Sequence, residues 1–437
     1  MAGLRSGRRV FMMRFDSAFI MTGGLLAALS GFPSGGRAAS FAALHAFIGN
    51  DGYGAATRLT AGANGVFFGV TPYGGATNCG SAFSLTPPAQ GATSWTFAII
   101  YDFPAWQTAC RPIGPLAVGA SGTLYGASGG GQFNGGTVFS LTPPAEGGGS
   151  WSFAAVHNFG ATEGDVNNPT GGVVIGADGS LYGTVSEASV GAVYRFTPSG
   201  GGWTENLLYT SSGSGGPAAP FGSLLYRNGV LYGINCGSGF GSCAVVSLAP
   251  PTGGGVPWQL TSLVSLPAPQ EGNNTDLIAD ANGALYGTTQ YGGATSYGDI
   301  YRVVPPQSQG GAWTFQELYA FPESGVDGFF PSGGVTLDSH GHLWGVVPSA
   351  FDAKHNPLAG LLYRLTPPES GTPPWSYAAK FVFNGNSDGG APTAGLTIAT
   401  DGTLFGVTAS GGGKDDLLFP TFGYSGYGYG VVFGYTP

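Results

Sequence analysis

Gly122-Thr123-Leu124-Tyr125-Gly126 is one of seven copies of the same five-residue cassette, glycine, two residues, an aromatic and glycine. The others are Gly65-Val66-Phe67-Phe68-Gly69, Gly179-Ser180-Leu181-Tyr182-Gly183, Gly229-Val230-Leu231-Tyr232-Gly233, Gly283-Ala284-Leu285-Tyr286-Gly287, Gly341-His342-Leu343-Trp344-Gly345 and Gly402-Thr403-Leu404-Phe405-Gly406. Successive copies lie 57, 57, 50, 54, 58 and 61 residues apart. A period in this range marks an array of small supersecondary units, most often propeller blades. The residue before the first glycine is Asn64, Ser121, Asp178, Asn228, Asn282, His340 or Asp401. Asn-Gly and Asp-Gly favour a type I′ hairpin because both residues tolerate positive φ. Each cassette therefore reads as a tight turn feeding a strand b, antiparallel to a strand a before it.

Working outward, Pro112, Pro169, Pro331 and Pro392 each stand ten residues before a turn glycine and open strand a. Strand c follows a glycine-rich loop and ends in proline, as in Phe139-Ser140-Leu141-Thr142-Pro143-Pro144 and Tyr363-Arg364-Leu365-Thr366-Pro367-Pro368. Proline lacks an amide donor and suits a strand end. Strand d begins at Trp95, Trp151, Trp203, Trp258, Trp313 or Trp375, usually with aromatics two and six residues on, such as Phe97 and Tyr101. Even spacing places these rings on one face of a strand, where they are expected to pack between blades. His45 and His157 hold the place of Tyr101 and are expected to pack in the same way.

The chain ends explain each other. The last unit stops after a c-type strand at Pro437, while Phe41, His45 and Phe47 match the d pattern before any strand a. The expectation is an all-β fold: a seven-bladed β-propeller of four-stranded antiparallel blades over residues 40–437. The N-terminal strand completes the last blade, so the ring closes without an open junction.

Glycine and proline make up 113 of 437 residues, a fraction that alone suggests low complexity. The 13% aromatic content and the regular period argue for a packed fold. Residues 1–39 read as an export signal: Arg5, Arg8, Arg9 and Arg14, an apolar run from Ser17 to Gly31, then small residues to Ser40. Arg8-Arg9-Val10-Phe11 resembles a twin-arginine signal. That segment carries five arginines and Asp16, a net of +4, so the remainder of a chain of net charge −9 carries −13. Nucleic acid needs a basic footprint and is excluded as a partner. The apolar run is too short and glycine-rich for a membrane span, so a secreted or periplasmic monomer is expected. Four cysteines then suggest disulfides. Cys236 and Cys243 share one b–c loop. Cys79 and Cys110 lie in b–c and d–a loops that leave a blade on the same face, so 79–110 and 236–243 is the simple pairing.

The units resemble the bacterial tandem GloVer-repeat, or choice-of-anchor repeat, family. Its pattern D-G-x-x-P, G-x-L-Y-G-T-T-x-x-G-G and G-T-V-F-x-L-T-P is met by Asp388-Gly389-Gly390-Ala391-Pro392, by Gly283 to Gly293 and by Gly136 to Pro143. The resemblance covers residues 41–437 and implies a secreted or surface protein, without carrying catalytic residues across. Members often end in a surface-sorting signal; Thr436-Pro437 shows none, which implies release or periplasmic residence.

The chain has no G-x-S-x-G elbow, H-E-x-x-H helix or P-loop. It has no C-x-x-C and no clustered histidine, and His340 and His342 flank a turn and are expected to face solvent. Asp51, Asp327 and Asp388, each before glycine, fall in equivalent d–a loops. They serve turn chemistry, or offer oxygens to sugar hydroxyls or to calcium, the one candidate ion. The longest b–c loops are 349–360 and 409–430. With the neighbouring Asp388 they nominate Asp352, His355, Asp388, Asp415, Asp416, Tyr424 and Tyr427 as ligand-binding residues, with no catalytic residue assigned. Three functions follow: a binder of an extracellular glycan or envelope component, a polysaccharide lyase or glycosidase with its site over the central channel, or a structural scaffold.

Overall fold

The computed structural model describes residues 38–437 apart from 146–148, 162–165, 188–189, 212–220, 237–241, 270–275, 309, 413–417 and 422–423. The export-signal reading of residues 1–39 lies almost wholly outside the described residues. Residues 39–437 form one compact unit.

Seven four-stranded antiparallel sheets build a propeller ring. Blade 2 shows the plan: strand a is Pro112–Val118, b is Leu124–Ser128, c is Thr137–Thr142 and d is Ser152–Asn158. Blades 1 and 3 to 6 span 60–102, 174–210, 221–269, 278–320 and 336–382, each in the order a, b, c, d. Blade 7 takes strands from 397–436, and its outer strand is Ser40–Ala46, paired antiparallel with Val431–Thr436. The ring therefore closes as the chain ends suggested.

The expected I′ turn forms only in blades 1 and 4, where Asn64 and Gly65 have φ 56° and 74°, and Asn228 and Gly229 51° and 82°. In the other five blades the glycine alone is left-handed. In blade 6 the Gly341 amide donates to the Asp338 carbonyl and the Asp338 amide to the His342 carbonyl. This is a type I turn followed by one left-handed residue, the three-residue hairpin loop. It asks positive φ of one residue only, so Ser121 and His340 are tolerated before the glycine.

The second cassette glycine has a different task. Gly126 pairs with Phe139 of strand c, and a methyl group on Gly126 would lie 2.5 Å from the Phe139 ring. The same ring-over-glycine contact joins Gly69 to Phe83, Gly183 to Tyr194, Gly287 to Tyr301, Gly345 to Tyr363 and Gly406 to Phe433. Blade 4 lacks the ring and pairs Gly233 with Val246.

The cassette aromatic receives the next blade. Trp151 packs on Phe68, Trp203 on Tyr125, Trp258 on Tyr182 and Trp313 on Tyr232, at 5.7–6.3 Å between ring centroids. Trp95 of blade 1 packs on Phe405 of blade 7 at 5.1 Å. Further out, rings stack across the same junctions: Tyr101 on Phe153, Tyr319 on Tyr377, Phe381 on Phe41 and His45 on Phe97. Seven hydrophobic clusters result, and each straddles one junction between neighbouring blades, the blade 7–blade 1 junction included. The core is thus the set of interfaces between blades. The opening prolines join it: Pro169, Pro331 and Pro392 cover Gly136, Gly298 and Gly360 of the preceding blade, where a methyl group would come within 2.5 Å of proline Cδ.

Candidate functional site

The d–a and b–c loops emerge on one face. There the equivalent aspartates first serve as latches. Asp51 Oδ1 accepts from the Ile48 amide and Oδ2 meets His45 Nε2, each at 2.8 Å. Asp327 Oδ2 accepts from the Tyr319 hydroxyl. Both oxygens of Asp388 accept from the Asn384 amide at 3.1 Å; the residue is only 9% exposed, and burial raises its pKa above the usual carboxylate range.

Asp352 caps the tip of a small hairpin, Ala350–Phe351 with Pro357–Leu358, in the long b–c loop of blade 6. It accepts from the Asn356 side chain and from the Asn356 and Lys354 amides, and the bonds from Asn356 hold its carboxyl below the usual range. His355 takes the left-handed position of that tip, φ 63°, with its ring 6.1 Å from Phe351. The His355 amide donates to the Asp352 carbonyl at 2.9 Å within that tip, and among the described residues no hydrogen bond links either of them to Asp388. Asp415 and Asp416 lie outside the described residues. Tyr424 and Tyr427 belong to a described strand, Tyr424–Tyr427 paired with Leu418–Thr421, whose side chains lie outside that description.

The same face carries a cluster that sequence reasoning missed. Cys79 of the blade 1 b–c loop and Cys110 of the following d–a loop are bonded, as are Cys236 and Cys243. The first bridge fixes its neighbours, and the Arg111 amide donates to the Cys79 carbonyl at 2.9 Å. Arg111, at φ 57°, is held between two rings, its guanidinium carbon 5.2 Å from the Tyr73 centroid and 5.5 Å from that of Trp106. Cation–π contacts of this kind contribute about 0.5–2 kcal/mol. Tyr53 stacks on Tyr73 at 5.4 Å and donates to Asn78 Oδ1. The Trp106 indole donates to Asn134 Oδ1 at 2.9 Å. The row Tyr53, Tyr73, Arg111, Trp106 ends at the solvent: Trp106 is 37% exposed, and Phe133, beside Asn134, 45%. The only sequence signal was an even cysteine pair whose loops share a face.

Pro72, next to Tyr73, lines the central channel, a cavity of about 320 Å³ walled mainly by the segments that lead into the inner strands. Glycines let these segments approach: a methyl group on Gly171 would lie 2.4 Å from the Gly222 carbonyl carbon, and one on Gly333 2.6 Å from that of Ala394. Arg58 of blade 1 crosses to blade 6, donating to the Val335 carbonyl at 3.1 Å, and its Nε lies 3.7 Å from Asp276 Oδ2 of blade 5. Burial lowers the Arg58 pKa, and the Asp276 charge opposes this. Among the described lining residues Asp276 is the one carboxylate, and it faces a guanidinium. Glycoside hydrolysis generally employs two carboxylates about 5–10 Å apart.

The solved structures similar to this chain include polysaccharide lyase Uly1, at 10% identity over 87% of this chain and 89% of that one, TM-score 0.48. Another is the PQQ-bound aldose sugar dehydrogenase of Streptomyces coelicolor, at 14% identity over 74% and 94%, TM-score 0.42. A third is the endo-arabinase of Bacteroides thetaiotaomicron, at 13% over 63% and 98%, TM-score 0.33. Likeness at this level carries nothing about what this chain binds. No curated protein matches it in sequence. The model of the Gloeobacter/Verrucomicrobia repeat, in contrast, matches residues 32–190 and 169–419. With seven cassettes, seven blades and that match in agreement, the chain belongs to the Gloeobacter/Verrucomicrobia repeat family.

Proposed function

We propose that the protein is an extracellular or periplasmic binding protein that holds a glycan on its loop face, over the row Tyr73, Arg111 and Trp106. The exposed indole of Trp106, pinned against Arg111 by the Cys79–Cys110 bridge, carries this reading. A flat π surface meets the C–H face of a sugar ring, and fixed donors and acceptors beside it meet the hydroxyls; few polar groups around an aromatic surface are what a ligand site requires. Arg111, Asn78 and Asn134 supply those groups. A rigid aromatic loses little entropy on binding. The two disulfides support an oxidising compartment.

The test is a soluble glycan panel titrated calorimetrically, with the same polymers checked for cleavage products. Trp106→Ala should weaken the retained glycan at least tenfold, about 1.4 kcal/mol, in a protein that still folds and melts cooperatively. Tyr427→Ala reports whether the site extends to the sector of Asp352, His355 and Asp388. Equal affinity in Trp106→Ala removes the reading, and products from bound polymer replace it with a polysaccharide-cleaving enzyme.

A further inference from the structure

The opposite face, where the a–b turns emerge, carries a second group of residues. In blade 6 the turn Asp338-Ser339-His340-Gly341-His342 brings one carboxylate and two imidazoles together, each offering one ligand atom within 4.8 Å of the others. Histidines expected to be merely solvent-facing are thus clustered. His342 Nδ1 meets Asp338 Oδ2 at 2.8 Å, and the two imidazole rings lie 5.9 Å apart at 24°. The group opens into a cavity of about 420 Å³ shared with blade 7, whose wall includes Trp344, Arg364 and Asp401.

Blade 5 is an internal control. There Asp280 stands in the place of Asp338 and makes the same two bonds, accepting from the Ala284 amide and from the Tyr286 hydroxyl. Asp338 accepts from the His342 amide and from the Trp344 indole, each at 2.9 Å. The hairpin therefore needs the aspartate and the cassette aromatic. It does not need imidazoles, since blade 5 has Asn282 and Ala284 at those positions. His340 and His342 are additions that serve no fold requirement visible in the sister blade, and they stand two residues apart on a backbone whose geometry the aspartate fixes.

We propose that Asp338, His340 and His342 form a binding site for a divalent transition-metal ion of the zinc or copper class. Two imidazoles and one carboxylate are the donor set such ions prefer over the all-oxygen shell of calcium. In one arrangement Asp338 Oδ2 ligates directly. In the other it accepts from His342 Nδ1 and leaves Nε2 to the ion, the usual carboxylate–histidine–metal relay. Either leaves positions open towards the cavity, where a further ligand can enter between blades 6 and 7.

The experiment uses untagged, chelator-treated protein titrated with Zn²⁺ by calorimetry and with Cu²⁺ by electron paramagnetic resonance. The variants His340→Asn and His342→Ala reproduce the blade 5 turn and so keep the hairpin. One equivalent of metal, a Cu²⁺ spectrum with nitrogen couplings, and affinity reduced more than tenfold in each variant are expected. Their melting temperatures without metal should match that of the parent protein. Equal binding in the double variant, or no stoichiometric binding by the parent protein, overturns the proposal.

Discussion

Single residues here are chosen by what lies across the strand from them. Gly126 is small because the Phe139 ring occupies the place of its side chain, and Leu116 Cδ2 would also lie 2.9 Å from a methyl group there. Both neighbours are fully or nearly buried, so neither has room to withdraw. Gly126→Ala should cost about 1–3 kcal/mol through overpacking, read as a lower urea midpoint; an unchanged midpoint shows that the ring moves freely. Asp299 makes a pH-dependent case. It is fully buried at the start of strand c in blade 5 and bonded to the Thr289 hydroxyl, while Oδ2 has no partner. Burial lifts its carboxyl from 3.8 to about 7. The folded protein then keeps a proton that the unfolded chain releases near pH 4. The group's stabilising contribution is complete below that pH and is lost as pH rises to 7, with a slope of at most about 1.4 kcal/mol per unit. Asp299→Asn should remove this slope; identical pH–stability curves for the two proteins would contradict it.

At the scale of elements, the strand Ser40–Ala46 holds the ring shut. Phe41 lies flat on Phe381 of blade 6 at 4.0 Å and near Phe433 of its own blade at 5.5 Å, so this one strand serves both a sheet and a junction. Phe41→Ala should cost about 3 kcal/mol. Deleting residues 40–47 should do more, because it bares the edge of Val431–Thr436. An unpaired edge invites strand addition, so light scattering should find dimers or larger species along with a sharply lower melting temperature. A monomer that melts as the parent does would show that closure lies elsewhere.

For the whole molecule, the seven junctions form a closed set with no terminal interface, and one disulfide ties the loops of the first of them. The Cys79–Cys110 link spans 31 residues. A loop of that length is worth about 3–4 kcal/mol in the chain-entropy account. Replacing both cysteines by serine should lower stability by that order. It should also weaken glycan binding beyond the effect on stability, because Arg111 and Asn78 are the residues next to the bridge. Stability loss with intact binding would show that Trp106 is held by Asn134 alone.

The blades, their order, the closing strand and both disulfides were legible in the chain because each rests on local chemistry: turn glycines, period-two rings and the pairing of loops on one face. The turn type was not, since one left-handed residue satisfies the hairpin as well as two and the sequence does not register the difference. Nor were the partners of the rings, because the register between blades depends on sheet twist and ring closure. Asp388 shows the limit most plainly. Its Asp-Gly pair announced a loop, while the bond to Asn384 and its burial came from the folded loop. Tyr53, Tyr73, Trp106 and Arg111 come from three loops that meet only when two blades dock. His340 and His342 were adjacent in the chain, yet their meaning needed blade 5 beside blade 6. Sequence by itself determined a closed seven-bladed ring, since strand periodicity and turn residues are properties of short segments. Which side chains face one another across its loops was decided by tertiary structure, because those distances are set by the packing of whole blades.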